Sequence, residues 1–316
     1  MSAPTGTGFR HEVCLHRGDE EFLAGVLPYV RQGLAQDETV VVGEPRSRQR
    51  LLRDALREDA GRVHWVDPAR LGGNPGRLLP LLTAVVAEHT GGGRRLRVVG
   101  ESTHAGRHPA ELVECGVHEA LIDHAFAPGP AWQLLCPYDV AALPASVTET
   151  ARRTHRTWVG PEGGGANPDY AARGDGADLA ALTGTTPLPP PTDVVLRGEF
   201  GRPDLPAVRR TVGQFARSCG LAEEQTTNLE LAASELAANS VRHGGGRGSV
   251  GMWREPDAVV VEFTDAGRIC DPLAGRRRPA DGRDPGAGLY VVHQLCDLVQ
   301  VRTGPSGTTV RVSTWA

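Results

Sequence analysis

Residues 235–244 read ELAANSVRHG, and this run decides the fold of the second half of the chain. It closes a segment, about 222–243, whose apolar residues recur at helical spacing. On a helix, Glu235 and Asn239 stand four apart and project from one face about one turn apart. Leu229, Ala233 and Leu236 lie largely on another face, available for a core. A carboxylate and an amide so placed suit two tasks: the carboxylate accepts a proton from an attacking hydroxyl, and the amide oxygen ligates Mg²⁺. Taken alone, such a pair is more often a solvated pair on an ordinary surface helix. His243, next to Arg242 at the helix end, suits the negative end of the helix dipole and reads as structural.

Working outward, DVVLRGEF (193–200) reads as a strand and 204–218 as a first helix, with Asp204 as N-cap and Pro206 in its first turn. After the 222–243 helix come the strands SVGMWRE and AVVVEFTD, a helix near 287–297, and the closing strands LVQVRT and TTVRVST. Short joins between strands imply antiparallel pairing, so this half is expected to be an α/β sandwich with helices on one face. AVVVEFTD ends in Asp265-Ala266-Gly267, where a carboxylate accepts a donor such as an exocyclic amine and Gly admits a planar ligand close to the backbone. An irregular stretch with Arg276, Arg277, Arg278 and Arg283 follows. Gly286-Ala287-Gly288-Leu289 then opens a helix whose N–H groups suit phosphate oxygens, and Gly307-Thr308 starts the last strand. A lone GxG is weak evidence, but these elements in this order are strong.

Residues 193–316 thereby resemble the ATP-binding domain shared by histidine kinases and DNA gyrase, the Bergerat (GHKL) fold, and in particular the compact anti-sigma-factor serine kinases. In that family ELxxN(A/S)xxHG is the N box, DxG and GxGL are the glycine boxes, and a flexible ATP lid lies between the two glycine boxes. The resemblance implies ATP and Mg²⁺ as cofactors, Asn239 as Mg²⁺ ligand, Glu235 as general base and Asp265 as partner of the adenine amino group. It also implies that Gly267 lines the adenine pocket, Gly286 and Gly288 hold the lid's end over the phosphates, and Thr308 sits near adenine. The implied partners are an anti-anti-sigma (STAS) protein, a sigma factor, or both; a homodimer is compatible with the sequence. Two positions depart from the histidine-kinase pattern: Ile269 replaces the second Gly of the first box, and Ala287 replaces an Arg in the second. No dimerisation helix with a phosphoacceptor His precedes this half. His155 in ARRTHRTW is the nearest candidate, and a linker follows it directly, which disfavours an autophosphorylating histidine kinase. Two rival readings are a non-catalytic, ATP-dependent docking module and a small-molecule receptor with a vestigial ATPase half.

The first half alternates strands with helical patterns: HEVCLH, ETVVVG, RVHWV, RLRVVG and AWQLLC are the strands, which argues a parallel-sheet α/β domain covered on both faces. Ligands of open parallel sheets bind beyond the carboxyl ends of the strands, so Glu101, Cys136, Tyr138 and Asp139 are the sensory-pocket candidates. Glu111, Cys115 and His118 share a helix face, with His104 and His108 nearby; a metal site is conceivable there, satisfied core groups the commoner case. The motifs VVGESTHAGR (98–107), ELVECGVHEALIDHAF (111–126) and CPYD (136–139) resemble the MEDS domain, a sensory relative of RecA-like domains. That resemblance implies a small-molecule ligand.

Between the halves, residues 159–192 are rich in Gly and Pro and poor in large apolar residues, which reads as a linker between domains at 1–158 and 193–316. All 34 basic residues are Arg, so a Walker A loop with its Lys, a kinase with a strand Lys and Schiff-base chemistry are excluded. The net charge of −4, with no basic run, disfavours direct nucleic-acid binding. No membrane-spanning run and no secretory signal are visible, and six scattered cysteines without a CxxC read as reduced thiols, so a cytoplasmic location is expected.

Overall fold

The structure, a computed structural model, describes residues 8–67, 73–127, 129–161, 163–170, 187–191, 194, 196–280, 284 and 286–316. The chain forms two compact units, Met1–Gly174 and Asp175–Ala316.

In the first unit, β1 (Arg10–His16), β2 (Thr39–Gly43), β3 (His64–Trp65), β4 (Leu96–Gly100) and β5 (Trp132–Asp139) alternate with α1 (Gly18–Ala35), α2 (Arg46–Leu56), α3 (Leu78–His89), α4 (Pro109–Phe126) and α5 (Ala145–Thr154). A hairpin, β6 (Thr157–Gly160) and β7 (Gly163–Ala166), completes a sheet of order β3-β2-β4-β5-β1-β6-β7. Its pairings are parallel except β6 with β7. Runs such as TVVVG are apolar on both faces because helices cover both. Phe22, Val26 and Val30 of α1 pack against Val40, Val42 and Leu135 of the sheet.

Two local features differ from the sequence reading. The hairpin uses residues 157–166, part of the stretch read as linker. Gly163, Gly164 and Gly165 have no side chains to alternate, so a strand there is visible only through its pairing. A Cβ on Gly164 would stand 2.6 Å from the carbonyl oxygen of Trp158, so the close approach itself requires Gly. The fifth strand runs on through Cys136, Pro137 and Tyr138 to Asp139 instead of ending at Cys136. The remainder of the linker reading at 171–186 lies outside the described residues.

The second unit has the expected sandwich. Strands β8 (Leu196–Gly201), β9 (Arg247–Glu255), β10 (Ala258–Asp265), β11 (Leu298–Gly304) and β12 (Gly307–Trp315) form an antiparallel sheet of order β11-β12-β10-β9-β8. Helices α6 (Leu205–Ser218), α7 (Glu223–His243) and α8 (Ala287–Leu295) share one core with it. Val208 and Val212 of α6, Leu229, Ala233 and Leu236 of α7 and Val292 of α8 meet alternate sheet residues Val250, Val259, Val261 and Val312. Trp253, Ala258 and Val260 form a smaller cluster with Val194 and Trp315. At the start of β12, Gly307 has φ +117, and a Cβ there would fall 2.1 Å from the carbonyl oxygen of Asp265. Gly307→Ala must therefore strain both the turn and the end of β10. We expect a loss of about 1–3 kcal/mol, read as a lower denaturation midpoint of the full chain.

Candidate functional site

The second unit brings its sequence motifs to one end of the sheet. Glu235 and Asn239, both half-buried on α7, face the start of α8. A Cβ on Gly288 would stand 2.7 Å from Glu235 Oε2 and 3.3 Å from Asn239 Nδ2, so the glycine lets the two helices close on these side chains. Gly286 is the α8 N-cap, with the left-handed φ of +86 that L residues avoid, and no side chain caps this helix start. A Cβ at Gly286 would also meet the Gly275 amide nitrogen at 3.0 Å, so the backbone at Ala274–Gly275 packs closely against the start of α8 there.

Asp265 ends β10 and is held from two sides. Its Oδ2 accepts from Ser240 Oγ at 2.7 Å, and its Oδ1 accepts from the Gly267 amide at 2.8 Å. A carboxylate has about four lone-pair sites, so acceptor capacity remains after these two bonds. Gly244 and Gly267 make the approach sterically feasible: a Cβ on Gly244 would be 2.5 Å from Asp265 Cγ, and one on Gly267 would be 2.5 Å from the His243 carbonyl oxygen. Thr308 pairs with Asp265 across β12, and its hydroxyl donates to the Gly267 carbonyl at 2.9 Å. Thr303 Oγ1 lies 2.9 Å from the Thr308 hydroxyl and accepts from the Ile269 amide at 3.1 Å. Ser240 and Thr303 thus fix the orientation of the Asp265–Gly267 turn. Sequence reasoning did not single them out; Ser240 stands next to Asn239 in the N-box run, whereas Thr303 has no local signal.

Among the arginines of the 268–286 segment, Arg276 is buried, Arg277 pairs with Asp271 at 3.4 Å and Arg278 is exposed. Arg283 lies outside the described residues. The residues present fit a nucleotide with its divalent cation. They supply an acceptor carboxylate in fixed orientation, a glycine turn beside it, and an amide facing a helix start where any side chain on residue 288 would fill the cradle.

The first unit gathers charges beyond its strand ends. Glu44 follows β2, Glu101 follows β4 and Asp139 ends β5. Arg48 of α2 donates to Asp139 Oδ2 at 3.1 Å, pairs with Asp19 and stacks over Phe22. Burial, then the neighbouring Glu101 carboxyl, push Glu44 well above the usual carboxylate range; burial raises Glu101 as well. Of the four expected pocket residues, Glu101 and Asp139 belong to this charged rim. Cys136 and Tyr138 instead lie inside β5, buried, with the Tyr138 ring edge-on to His155 at 5.9 Å. Glu44 was not anticipated, because a Glu after a strand carries no spacing signal.

An acid raised by burial favours the folded state below its unfolded-chain value, here 4.5, and that contribution is lost as pH rises through the raised folded value. Glu44→Gln is therefore expected to stabilise the chain at neutral and alkaline pH and to flatten the fall in stability with pH. Each kcal/mol regained should read as about 2–4 °C in Tm.

The helix face Glu111, Cys115 and His118 is not assembled into a site with His104 and His108. Glu111 Oε2 accepts from the His108 amide at 3.0 Å and His108 Nδ1 accepts from Ala110 at 3.2 Å, a capping box that starts α4. Cys115 Sγ donates to the Ser102 carbonyl at 3.4 Å. No helix among the described residues is long and apolar enough to cross a membrane.

A sensory-type α/β domain ahead of a nucleotide-binding α/β sandwich defines the class, a two-domain signalling module. The MEDS family (MEthanogen/methylotroph, DcmR Sensory domain) matches residues 10–156, and the family described as Histidine kinase-like ATPase domain matches residues 202–314. The chain thus carries an N-terminal MEDS domain followed by a GHKL-type ATPase domain. Among solved structures, 24 chains match. One is the crystal structure of the RsbU and RsbW domains of Rv1364c from Mycobacterium tuberculosis, 16% identical, covering 38% of this chain and 32% of that one, with a TM-score of 0.28. No curated protein matches the chain.

Proposed function

We propose that the second unit binds Mg²⁺–ATP and that the chain is a serine/threonine protein kinase of the anti-sigma-factor type, governed by its MEDS domain. The observation that carries this reading is the convergence of Gly288 on Glu235 and Asn239, which brings a candidate base and a candidate cation ligand to the start of α8. Asp265 would accept from the adenine amino group, its carboxylate held by the Gly267 amide in a turn pinned by Thr308. Asn239 offers its amide oxygen to Mg²⁺. Gly286 and Gly288 permit the backbone at the α8 start to close over the phosphates. Bound Mg²⁺–ATP supplies the transferable phosphoryl group. Glu235 takes the proton of a partner's Ser or Thr hydroxyl, and the arginines of the 268–286 segment counter developing negative charge.

The partner in this reading is an anti-anti-sigma (STAS) protein, with a sigma factor competing for the same surface, and a small molecule at the first unit sets the output. A cytoplasmic setting accords with six cysteines that form no disulfide with one another. The test incubates the full chain and labelled ATP with each STAS-type protein of the same genome, alongside calorimetry. Transfer of label supports the kinase. Binding without transfer to any candidate supports a docking module, and no binding at millimolar ATP removes the nucleotide reading altogether.

A further inference from the structure

We propose that His11, Glu119, Cys136 and His155 form a buried four-donor site for a transition-metal ion, with a donor set suited to Zn²⁺. The four come from β1, α4, β5 and the residue that ends α5, and their donor atoms all lie within 4.8 Å of one another. Strand register brings the first pair together: Val13 is opposite Cys136, so His11, two residues back, shares the face of Cys136. Each side chain is sealed from solvent.

Three of the donor separations are those of a coordination shell, and the whole set lies within 4.8 Å. With Zn–N and Zn–O near about 2.0 Å and Zn–S near about 2.3 Å, neighbouring donors of a tetrahedron stand about 3.3–3.6 Å apart. Here Glu119 Oε2 lies 3.1 Å from His11 Nε2 and 3.4 Å from His155 Nε2, and Cys136 Sγ lies 3.5 Å from His11 Nε2. The Cys136–His11 separation is also a hydrogen bond, but the directions of the two Glu119 contacts are not: Glu119 Oε2 and His155 Nε2 are buried without a partner of acceptable geometry. Leaving a buried polar atom unsatisfied is destabilising, a cost that a metal ion at the centre removes.

The surroundings also orient the donors. His155 Nδ1 donates to the Ala151 carbonyl at 2.8 Å, which leaves its Nε2 lone pair facing the cluster. His11 Nδ1 lies 3.3 Å from Asp123 Oδ1, an ion-pair separation without hydrogen-bond geometry, and Glu119 Oε1 accepts from Ser102 Oγ at 2.6 Å. Carboxylates and carbonyls on the far nitrogen of a ligating histidine are the usual outer support of a metal site. Four protein donors leave no open position, so the ion acts as a staple joining four elements of the sheet and its covering helices.

The test uses the untagged full chain expressed in zinc-supplemented medium, since sealed donors load as the chain folds. Elemental analysis should find about one Zn²⁺ per chain. Cys136→Ser and His155→Ala should each lower that content at least tenfold, and Cys115→Ser, a thiol outside the cluster, should leave it unchanged. Asp123→Asn, which removes a positioning carboxylate, should weaken affinity about 10–100-fold. Refolding the wild type with Co²⁺ decides the matter even if a variant fails to fold: a thiolate-to-cobalt charge-transfer band with tetrahedral d–d absorption is expected. A wild type with only trace metal, a cobalt spectrum lacking the thiolate band, or folded variants that keep full zinc would each overturn the proposal in favour of a metal-free His–carboxylate network.

Discussion

Glu235→Gln is expected to lower phosphoryl transfer to the acceptor protein by about 10²–10⁴-fold, the usual contribution of a general base, while ATP affinity changes little. Glutamine keeps the size of the side chain against Gly288, where a Cβ would stand only 2.7 Å from Glu235 Oε2, so the packing of α7 on α8 survives. What disappears is the basicity that, in the proposed reading, would take the hydroxyl proton. Asn239→Ala should behave differently and weaken Mg²⁺–ATP binding itself. Initial rates at saturating ATP, with calorimetry on the same preparations, separate the two. Undiminished transfer by Glu235→Gln would remove the proposed base, and equal loss of ATP affinity in both variants would indicate only a disturbed helix.

Asp265→Ala carries the second large effect, on binding. The carboxylate is pre-oriented by Ser240 and the Gly267 amide, so in the proposed reading it would meet the adenine amino group without further ordering. Hydrogen bonds to charged groups contribute about 1.5–3 kcal/mol, and their loss should weaken ATP about 10–150-fold. The measurement is calorimetry against ATP and against a purine nucleotide that lacks the 6-amino group. Wild-type chain should discriminate between the two, and Asp265→Ala should not. Discrimination retained by the variant would move adenine recognition elsewhere.

These two predictions rest on residues that are close in sequence or follow one another in a legible order. Glu235 and Asn239 are one helical turn apart on α7, so local periodicity alone puts them on one face. Asp265-Ala266-Gly267 closes a strand whose run of Val is plain, and Gly286 and Gly288 stand where a helix pattern begins. Apolar spacing likewise reveals the helices that share the second core and most strands of the first sheet.

Other features depend on contacts between distant positions. The β6–β7 hairpin is built partly from glycines, and only its ladder to β1 identifies it as sheet. Ser240 and Thr303 gain their roles because chain turns bring them to Asp265 and Thr308. The single residue Glu44 becomes a perturbed acid only where burial meets Glu101.

By itself, then, the order of residues determined the class of each half, because helix and strand periods and the glycine boxes are local properties of the chain. It also determined that no lysine-dependent phosphate chemistry operates here, because the side chain is missing. Tertiary structure alone decided which histidines and cysteine share a centre. Sequence spacing on one helix points to Glu111, Cys115 and His118, whereas the parallel register of β1 on β5, with α4 and the end of α5 packed over it, assembles His11, Glu119, Cys136 and His155. Periodicity reports which side of an element a residue faces. Which other element lies opposite is settled only when the core closes.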